Sequence, residues 1–365
     1  MERKIMAEAW KDKLNHNTVS EFALSIKSVY DVFPVDEFMK SAMDETWDNL
    51  ELMARGRRIT ENMRKYLPDD YREAISIMDK AIVVCDDFFL LCFPTFVELY
   101  GLDEENWDIS IAAMELYTKY SSSEFAVRPF ILNHEERMMA QMYAWSKHEN
   151  EHVRRLSSEG CRPALPWGVA LAKYKKDPTP ILPILKQLKT DPSAYVRKSV
   201  ANNLNDISKT RPDVVVQLAK DWYGKNNLTD WIIKHGCRTL LKKGNRDVLA
   251  IFGFSNVDAV CVSGFALGAD SISIGEDITF SFEIETSAAT KVRLEYGIDY
   301  VKANGKTNRK IFQISEIAMN ANQKKAYSKS HSLADLSTRK HYPGVHSVAL
   351  IVNGAQRGTL DFEVK

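Results

Sequence analysis

Hydrophobic positions recur at two different periods along the chain, and the change of period divides it. In the first hundred residues they fall at helical spacing: Phe22, Leu24, Ile26 and Val29, then Trp47, Leu50 and Met53, then Tyr71, Ala74, Ile75 and Met78. Recurrence at three to four residues is the mark of amphipathic helices. Nothing in this stretch suggests chemistry, so these helices are expected to cap the chain and pack against the segments downstream.

From roughly residue 104 to 252 a weak repeat overlies the helical period. The segments SSSEFAVRPF, NEHVRRL, DPSAYVRKSVANNLNDI and LTDWIIKHGCRTLL share a polar lead-in followed by an apolar-basic pair: Val127-Arg128, Val153-Arg154, Val196-Arg197 and Ile233-Lys234. Helical patterns such as PILPILKQL and DVVVQLAKDWY lie between them, so each unit reads as a helix pair. In the third unit Asp191-Pro192-Ser193 is a helix start, and Val196, Val200, Leu204 and Ile207 share one stripe. Stacked helix pairs that bury their faces on one another make a helical solenoid.

After Phe254 the period becomes two. Ile278, Phe280, Phe282 and Ile284 alternate with polar residues, as do Val292, Leu294 and Tyr296, then Ile311 and Ile314, then Val348, Leu350 and Val352. Asn353-Gly354 reads as a tight turn between two strands. About seven short strands without helical patterning suit an antiparallel sandwich of immunoglobulin type. The chain is therefore expected to be multidomain, an all-α solenoid over residues 1–255 followed by an all-β sandwich over residues 256–365.

Composition changes this picture in three places. No apolar run approaches the roughly 18 residues of a spanning helix, and the longest, at residues 81–93, is broken by Asp86 and Asp87. The five cysteines are an odd number without Cys-x-x-Cys spacing. Together with a charged N-terminus, they predict a reduced, cytoplasmic protein without a structural metal site; no cofactor is expected, and a monomer is. The formal net charge of zero hides an asymmetry: residues 1–100 carry 13 Lys and Arg against 19 Asp and Glu, whereas residues 147–246 carry 20 against 9. A basic stripe of that kind is the footprint of a phosphate-backbone partner, although a solvated helical surface also produces it.

Candidate chemistry concentrates in Lys147 to Gly168, KHENEHVRRLSSEGCRPALPWG, which holds Arg154, Arg155, Arg162, Glu159 and Trp167. Val153 and Leu156 anchor a helix that Gly160-Cys-Arg-Pro163 should end, because Gly tolerates a left-handed cap and Pro cannot continue the ladder. The polar residues are thus crowded at a helix end.

The segments SSEFAVRPF, HENEHVRRLSSEGCRPALPWG and DPSAYVRKSVANNLNDISK resemble the bacterial DNA alkylation repair glycosylases built from HEAT-like repeats, and among them the AlkC branch, some of whose members end in an immunoglobulin-like domain. The likeness covers essentially the whole chain, and the Arg-Arg, Glu and Pro-Trp-Gly of the middle segment are its specific part. The resemblance implies an enzyme that cleaves the glycosidic bond of cationic lesions such as 3-methyladenine and 3-methylcytosine in double-stranded DNA. It also implies a grip on a kinked duplex without a deep base pocket, unlike the base flipping of most glycosylases.

An alkylated base that already bears positive charge is a good leaving group and needs no general acid. The transition state needs anionic stabilisation of the sugar oxocarbenium ion and a positioned water. Glu159 and Asp206 differ by four positions in the repeat frame, so they project from similar faces of neighbouring helices and are the candidate carboxylates, while the face of Trp167 suits a cation. Glu124 is added by the family motif, and Arg154, Arg155, Arg162 and Arg197 are candidate phosphate contacts. Each has an ordinary alternative. Glu159 follows Arg155 at i,i+4 as a surface pair would, Glu124 completes a capping box with Ser121, Trp167 suits a core, and Arg197 suits an ion pair between repeats. Asp206 near a helix C-terminus is disfavoured by the dipole. The competing function is a non-catalytic HEAT-repeat scaffold that binds DNA or protein. The sandwich's lysines and arginines, at Lys302, Lys306, Arg309, Lys310, Lys324, Lys325, Lys329, Arg339 and Lys340, are expected in loops that close around DNA opposite the helices.

Overall fold

A computed structural model describes residues 10–85, 91–336 and 339–365, so the aspartates at 86 and 87 lie outside the described residues. Helices α1 to α16, numbered in chain order, run from α1 (His16–Val29) to α16 (Arg246–Ile251), and strands come after them from β1 (Val260–Leu267). The helical and alternating periods of the sequence therefore mark a real change of architecture. The chain forms two compact units: Met1–Arg211 with Asn226–Ile232, and Pro212–Lys225 with Ile233–Lys365.

In the first unit, α1 is held at its start by a capping box in which the Asn15 side chain accepts from the amides of Asn17 and Thr18. Phe22 and Ile26 are buried but Leu24 is exposed, because a position two residues from each falls off a helical stripe. Further along are α7 (Val127–Asn133), α9 (Glu151–Glu159) and α12 (Ala194–Ser208). Val127, Val153 and Val196 are all fully buried, as is Ile233 in the second unit. The apolar member of each sequence pair is thus a core anchor.

The β-region is two sheets, one ordered β1-β3-β6 and the other β2-β8-β7-β4-β5. β3 (Asp277–Thr286) and β6 (Lys324–Ser332) belong to the first. β2 (Ser271–Ile272), β4 (Thr290–Val301), β5 (Thr307–Met319), β7 (Gly344–Val352) and β8 (Ala355–Val364) form the second. Ile278, Phe280, Phe282 and Ile284 from one sheet meet Leu294, Ile298, Val348 and Leu350 from the other in one core. Pairing is antiparallel except where the two residues of β2 run parallel to β8.

Asn353 and Gly354 take φ of 47° and 77°, and Val352 pairs with Ala355. Positive φ at both central residues is what a two-residue hairpin requires. Gly354 is doubly constrained, since an added Cβ would also stand 2.6 Å from Leu249 Cδ1.

Of the nine basic residues of the sandwich expected in loops, Lys302, Lys306, Arg339 and Lys340 lie outside the named strands, but the other five do not. Arg309 and Lys310 lie on β5, and Lys324, Lys325 and Lys329 lie on β6. Each of these strands is at an edge of its sheet. At Arg309 and Lys310 the expectation of basic loops fails because the β4–β5 hairpin turns over only a few residues and β5 begins at Thr307.

Candidate functional site

Helices α9 and α12 approach closely because small polar side chains face each other between them. Ser158 Oγ lies 2.7 Å from Ser199 Oγ, and Asn203 donates to the Ser158 carbonyl at 2.9 Å. At the C-terminal end of this contact, Arg162 joins the two helices. Its Nη1 donates to Glu159 Oε1 at 2.6 Å and its Nε to Asp206 Oδ2 at 2.8 Å. Lys209 donates to the other Asp206 oxygen at 2.9 Å. The unfavourable position of Asp206 at a helix C-terminus is thereby offset by two cations.

The network continues in the other direction through Arg155. Its Nη2 is 2.7 Å from Glu124 Oε2 and 3.6 Å from Glu159 Oε1, and its Nη1 donates to Ser122 Oγ at 3.1 Å. The Arg155 guanidinium also lies 4.7 Å from the centre of the Tyr195 ring. Three carboxylates and three cations therefore alternate from Glu124 to Lys209. Burial would lower the pKa values of Arg155 and Arg162, but the neighbouring carboxylates outweigh it and hold both above the usual arginine value. The charges stay on, and each carboxylate is fixed by a guanidinium.

Glu124 is in the turn before α7, whose N-cap is Ala126 without a side-chain bond, so no capping box forms there. Ser122, rather than Ser121, meets Glu124, donating to its Oε2 at 2.9 Å. The structure thus brings together Glu124, Glu159, Asp206, Arg155 and Arg162, and places Trp167 on the loop after α9.

Trp167 is 80% exposed and has φ of 64°. It is no core aromatic, and a bulky residue in the left-handed region is a backbone outlier that its surroundings must hold in place. Gly160, expected to supply a left-handed cap, instead has φ of −62°. Its lack of a side chain matters for packing, since a Cβ there would stand 2.4 Å from Val127 Cγ2.

Arg154 and Arg197 are structural rungs. Arg154 makes a two-pronged pair with Asp191, at 2.6 and 3.1 Å, and donates to the carbonyls of His148 and Glu149. Arg197 donates to the carbonyls of Asp191 and Pro192, each at 2.8 Å. The inter-repeat ion pair is therefore made by Arg154. The basic charge presented to solvent in this segment includes Lys147, Lys176, Lys186 and Lys198.

Reading the sequence missed Ser122, Tyr195, Lys209 and Arg128. The first three are within a few residues of recognised ones. Arg128 was visible only as a member of the apolar-basic repeat. It is 1% exposed, and burial lowers its pKa to about 10.

Comparison with known proteins places the chain among described relatives. The family model described as DNA alkylation repair enzyme matches residues 118–240, which include the whole network. The model described as YhaZ, C-terminal Ig-like domain, matches residues 261–365. The Bacillus subtilis (strain 168) protein described as Uncharacterized protein YhaZ is 46% identical over 97% of this chain and 99% of its own. The solved structure of Pseudomonas fluorescens alkylpurine DNA glycosylase AlkC, bound to DNA containing an abasic site analog, superposes with a TM-score of 0.94. It is 36% identical, covering 98% of this chain and 100% of that one.

Proposed function

Because the chain belongs to the AlkC-type DNA alkylation repair glycosylases that carry a C-terminal immunoglobulin-like domain, we propose that it hydrolyses the N-glycosidic bond of cationic alkylated bases, 3-methyladenine and 3-methylcytosine, in double-stranded DNA. The observation that carries this reading is the pair Glu159 and Asp206, fixed on one guanidinium beside a loop that presents Trp167 to solvent.

In this reading the C1′–N bond breaks heterolytically and its electron pair leaves with the base, which becomes neutral because it began as a cation. The sugar becomes an oxocarbenium ion. Glu159, Asp206 and Glu124 stabilise that ion, and water adds to C1′ while its proton passes to a carboxylate. Since the carboxylates are held before substrate arrives, their orientation costs no reorganisation at the moment of reaction. Glu159 and Asp206 keep only 5% and 3% of their surface exposed, so the sugar meets them at an edge. The Trp167 face meets the cationic base, and no step needs the base to enter a deep pocket. HEAT-like repeats carry the duplex, and the protein works as a cytoplasmic monomer without a cofactor.

The test is incubation of the protein with methylated duplex DNA and chromatography of the released bases. Free 3-methyladenine and 3-methylcytosine are expected. Tight DNA binding with no base released above the protein-free control would leave the scaffold reading in its place.

A further inference from the structure

Arg128 is bonded differently from its buried neighbours. Arg155 and Arg162 answer to carboxylates, whereas Arg128 donates to three backbone carbonyls. Its Nη1 reaches Gly160 at 2.8 Å and Arg162 at 3.0 Å, and its Nε reaches Val169 at 2.5 Å. These carbonyls lie on either side of Trp167. A guanidinium can do this because its donors form a rigid planar fork. A buried cation is costly without close anionic partners, so its presence at 1% exposure calls for a use.

The loop it touches has the need. Trp167 is 80% exposed, so little packing fixes its ring, and its position is set by the backbone at φ of 64°. The other ties within the loop are few: the Gly168 amide donates to the Leu165 carbonyl and the Leu171 amide to the Pro163 carbonyl, each at 3.2 Å. The second of these closes the loop one residue beyond Arg162, but neither holds the Gly160 and Arg162 carbonyls, beside which the carboxylate bridge is attached. Arg128 spans both ends.

We infer that Arg128 is a positioning residue that clamps the entry of the Trp167 loop to its exit, holding the exposed tryptophan in register with the Arg162 bridge between Glu159 and Asp206. The inference rests on the base-release reading of the site. It assigns Arg128 no contact with DNA and no proton to transfer.

The test uses the full chain labelled with 5-fluorotryptophan. Fluorine NMR reports each of the seven tryptophans, and the Trp167 signal is identified by its loss in Trp167→Phe. In Arg128→Met the Trp167 signal should shift and sharpen as the loop is released, with the other signals unmoved. Single-turnover release from a methylated duplex should fall on the order of 10²-fold, the cost of misplacing a group by about 1 Å. Affinity for the same duplex should stay within about threefold, because Arg128 makes no phosphate contact. Arg128→Lys keeps the charge but lacks the fork, and should move the Trp167 signal in the same direction with a smaller loss of rate; it decides the matter if the methionine variant does not fold. An unmoved Trp167 signal and an unchanged release rate in the folded variants overturn the clamp. If the wild-type protein releases no base, the functional reading fails, and the fluorine signals still decide whether Arg128 holds the loop.

Discussion

Glu159 and Asp206, on different helices, are held by opposite sides of the same guanidinium, with Arg162 at 2.6 Å from one and 2.8 Å from the other. The arrangement makes their geometry mutual, and it makes their chemistry separable from their packing. Glu159→Gln and Asp206→Asn keep the shape and one acceptor oxygen each but remove the charge that an oxocarbenium ion requires. Each should slow base release by about 10²-fold or more while DNA affinity holds, as when one preorganised contact is lost. Single-turnover kinetics beside a binding titration checks this, and wild-type release in both variants would remove the carboxylates from the mechanism.

Trp167 offers a cleaner separation still. A side chain that is 80% exposed contributes little to folding, so Trp167→Ala should change stability by less than about 0.5 kcal/mol. If its face meets a cationic base, release of methylated bases should nonetheless fall at least about tenfold. Thermal unfolding and release assays on the same sample read both quantities. A large drop in stability would return Trp167 to the role of a packing residue.

The limits of the sequence are instructive at these same positions. Val127, Val153 and Val196 were legible because a buried helical stripe imposes a period, and Asn353-Gly354 because few residue pairs accept positive φ twice. Gly160 was misread: sequence shows that a glycine is present, but not whether φ or a neighbouring methyl group requires it. Arg128 was invisible as a functional candidate, since a side chain that binds backbone carbonyls leaves no pattern in residue types. The arginines were legible as charge but not as partners. Arg154 and Arg162 looked like phosphate ligands until Asp191, Glu159 and Asp206 were found against them.

That redistribution changes what salt and mutation should do. DNA affinity should fall steeply with salt, with a slope of about 0.9 per phosphate neutralised. The exposed Lys176 and Lys198, rather than Arg154, should carry part of it. Lys176→Glu and Lys198→Glu should each weaken binding and flatten the salt slope. Arg154→Met should leave the slope alone and cost about 3 kcal/mol or more of stability, because it leaves Asp191 buried without its partner. A salt titration and a thermal melt on the three variants separate the cases, and a flattened slope in Arg154→Met would restore it to the DNA-binding surface.

The sandwich should be acid-sensitive through His331. Its ring is held between the hydroxyls of Tyr296 and Tyr300, at 2.9 and 2.6 Å. Burial, then Arg339 and His341, pushes its pKa down from 6.5 to about 4. A folded value below the unfolded one means that folding favours the neutral ring. The stabilisation is therefore complete above about pH 6.5 and is lost as pH falls toward 4, by about 3 kcal/mol. Amide exchange in β3 and β6 at pH 7, 5.5 and 4 should show this loss, and His331→Gln should reduce its pH dependence. Equal slopes in variant and wild type would place the acid sensitivity elsewhere.

The lysines of β6 are best explained by where the strand lies. β6 pairs with β3 on one side, and its other edge closes the three-stranded sheet. An open edge is a template for pairing with another chain, and lysines along it oppose that pairing by repulsion and by the cost of burying charge. Lys324 and Lys325 are exposed, and Lys324 is already engaged with Glu285 at 3.3 Å. Substituting Lys324, Lys325 and Lys329 together with Thr keeps β propensity and removes the charges. The triple variant should bind duplex DNA within about twofold of wild type with the same salt slope, yet associate on concentration or mild heating. Light scattering and a salt titration on one preparation decide it. A shallower salt slope in a variant that stays monomeric would show that this edge meets phosphate and that the charges were placed there for DNA.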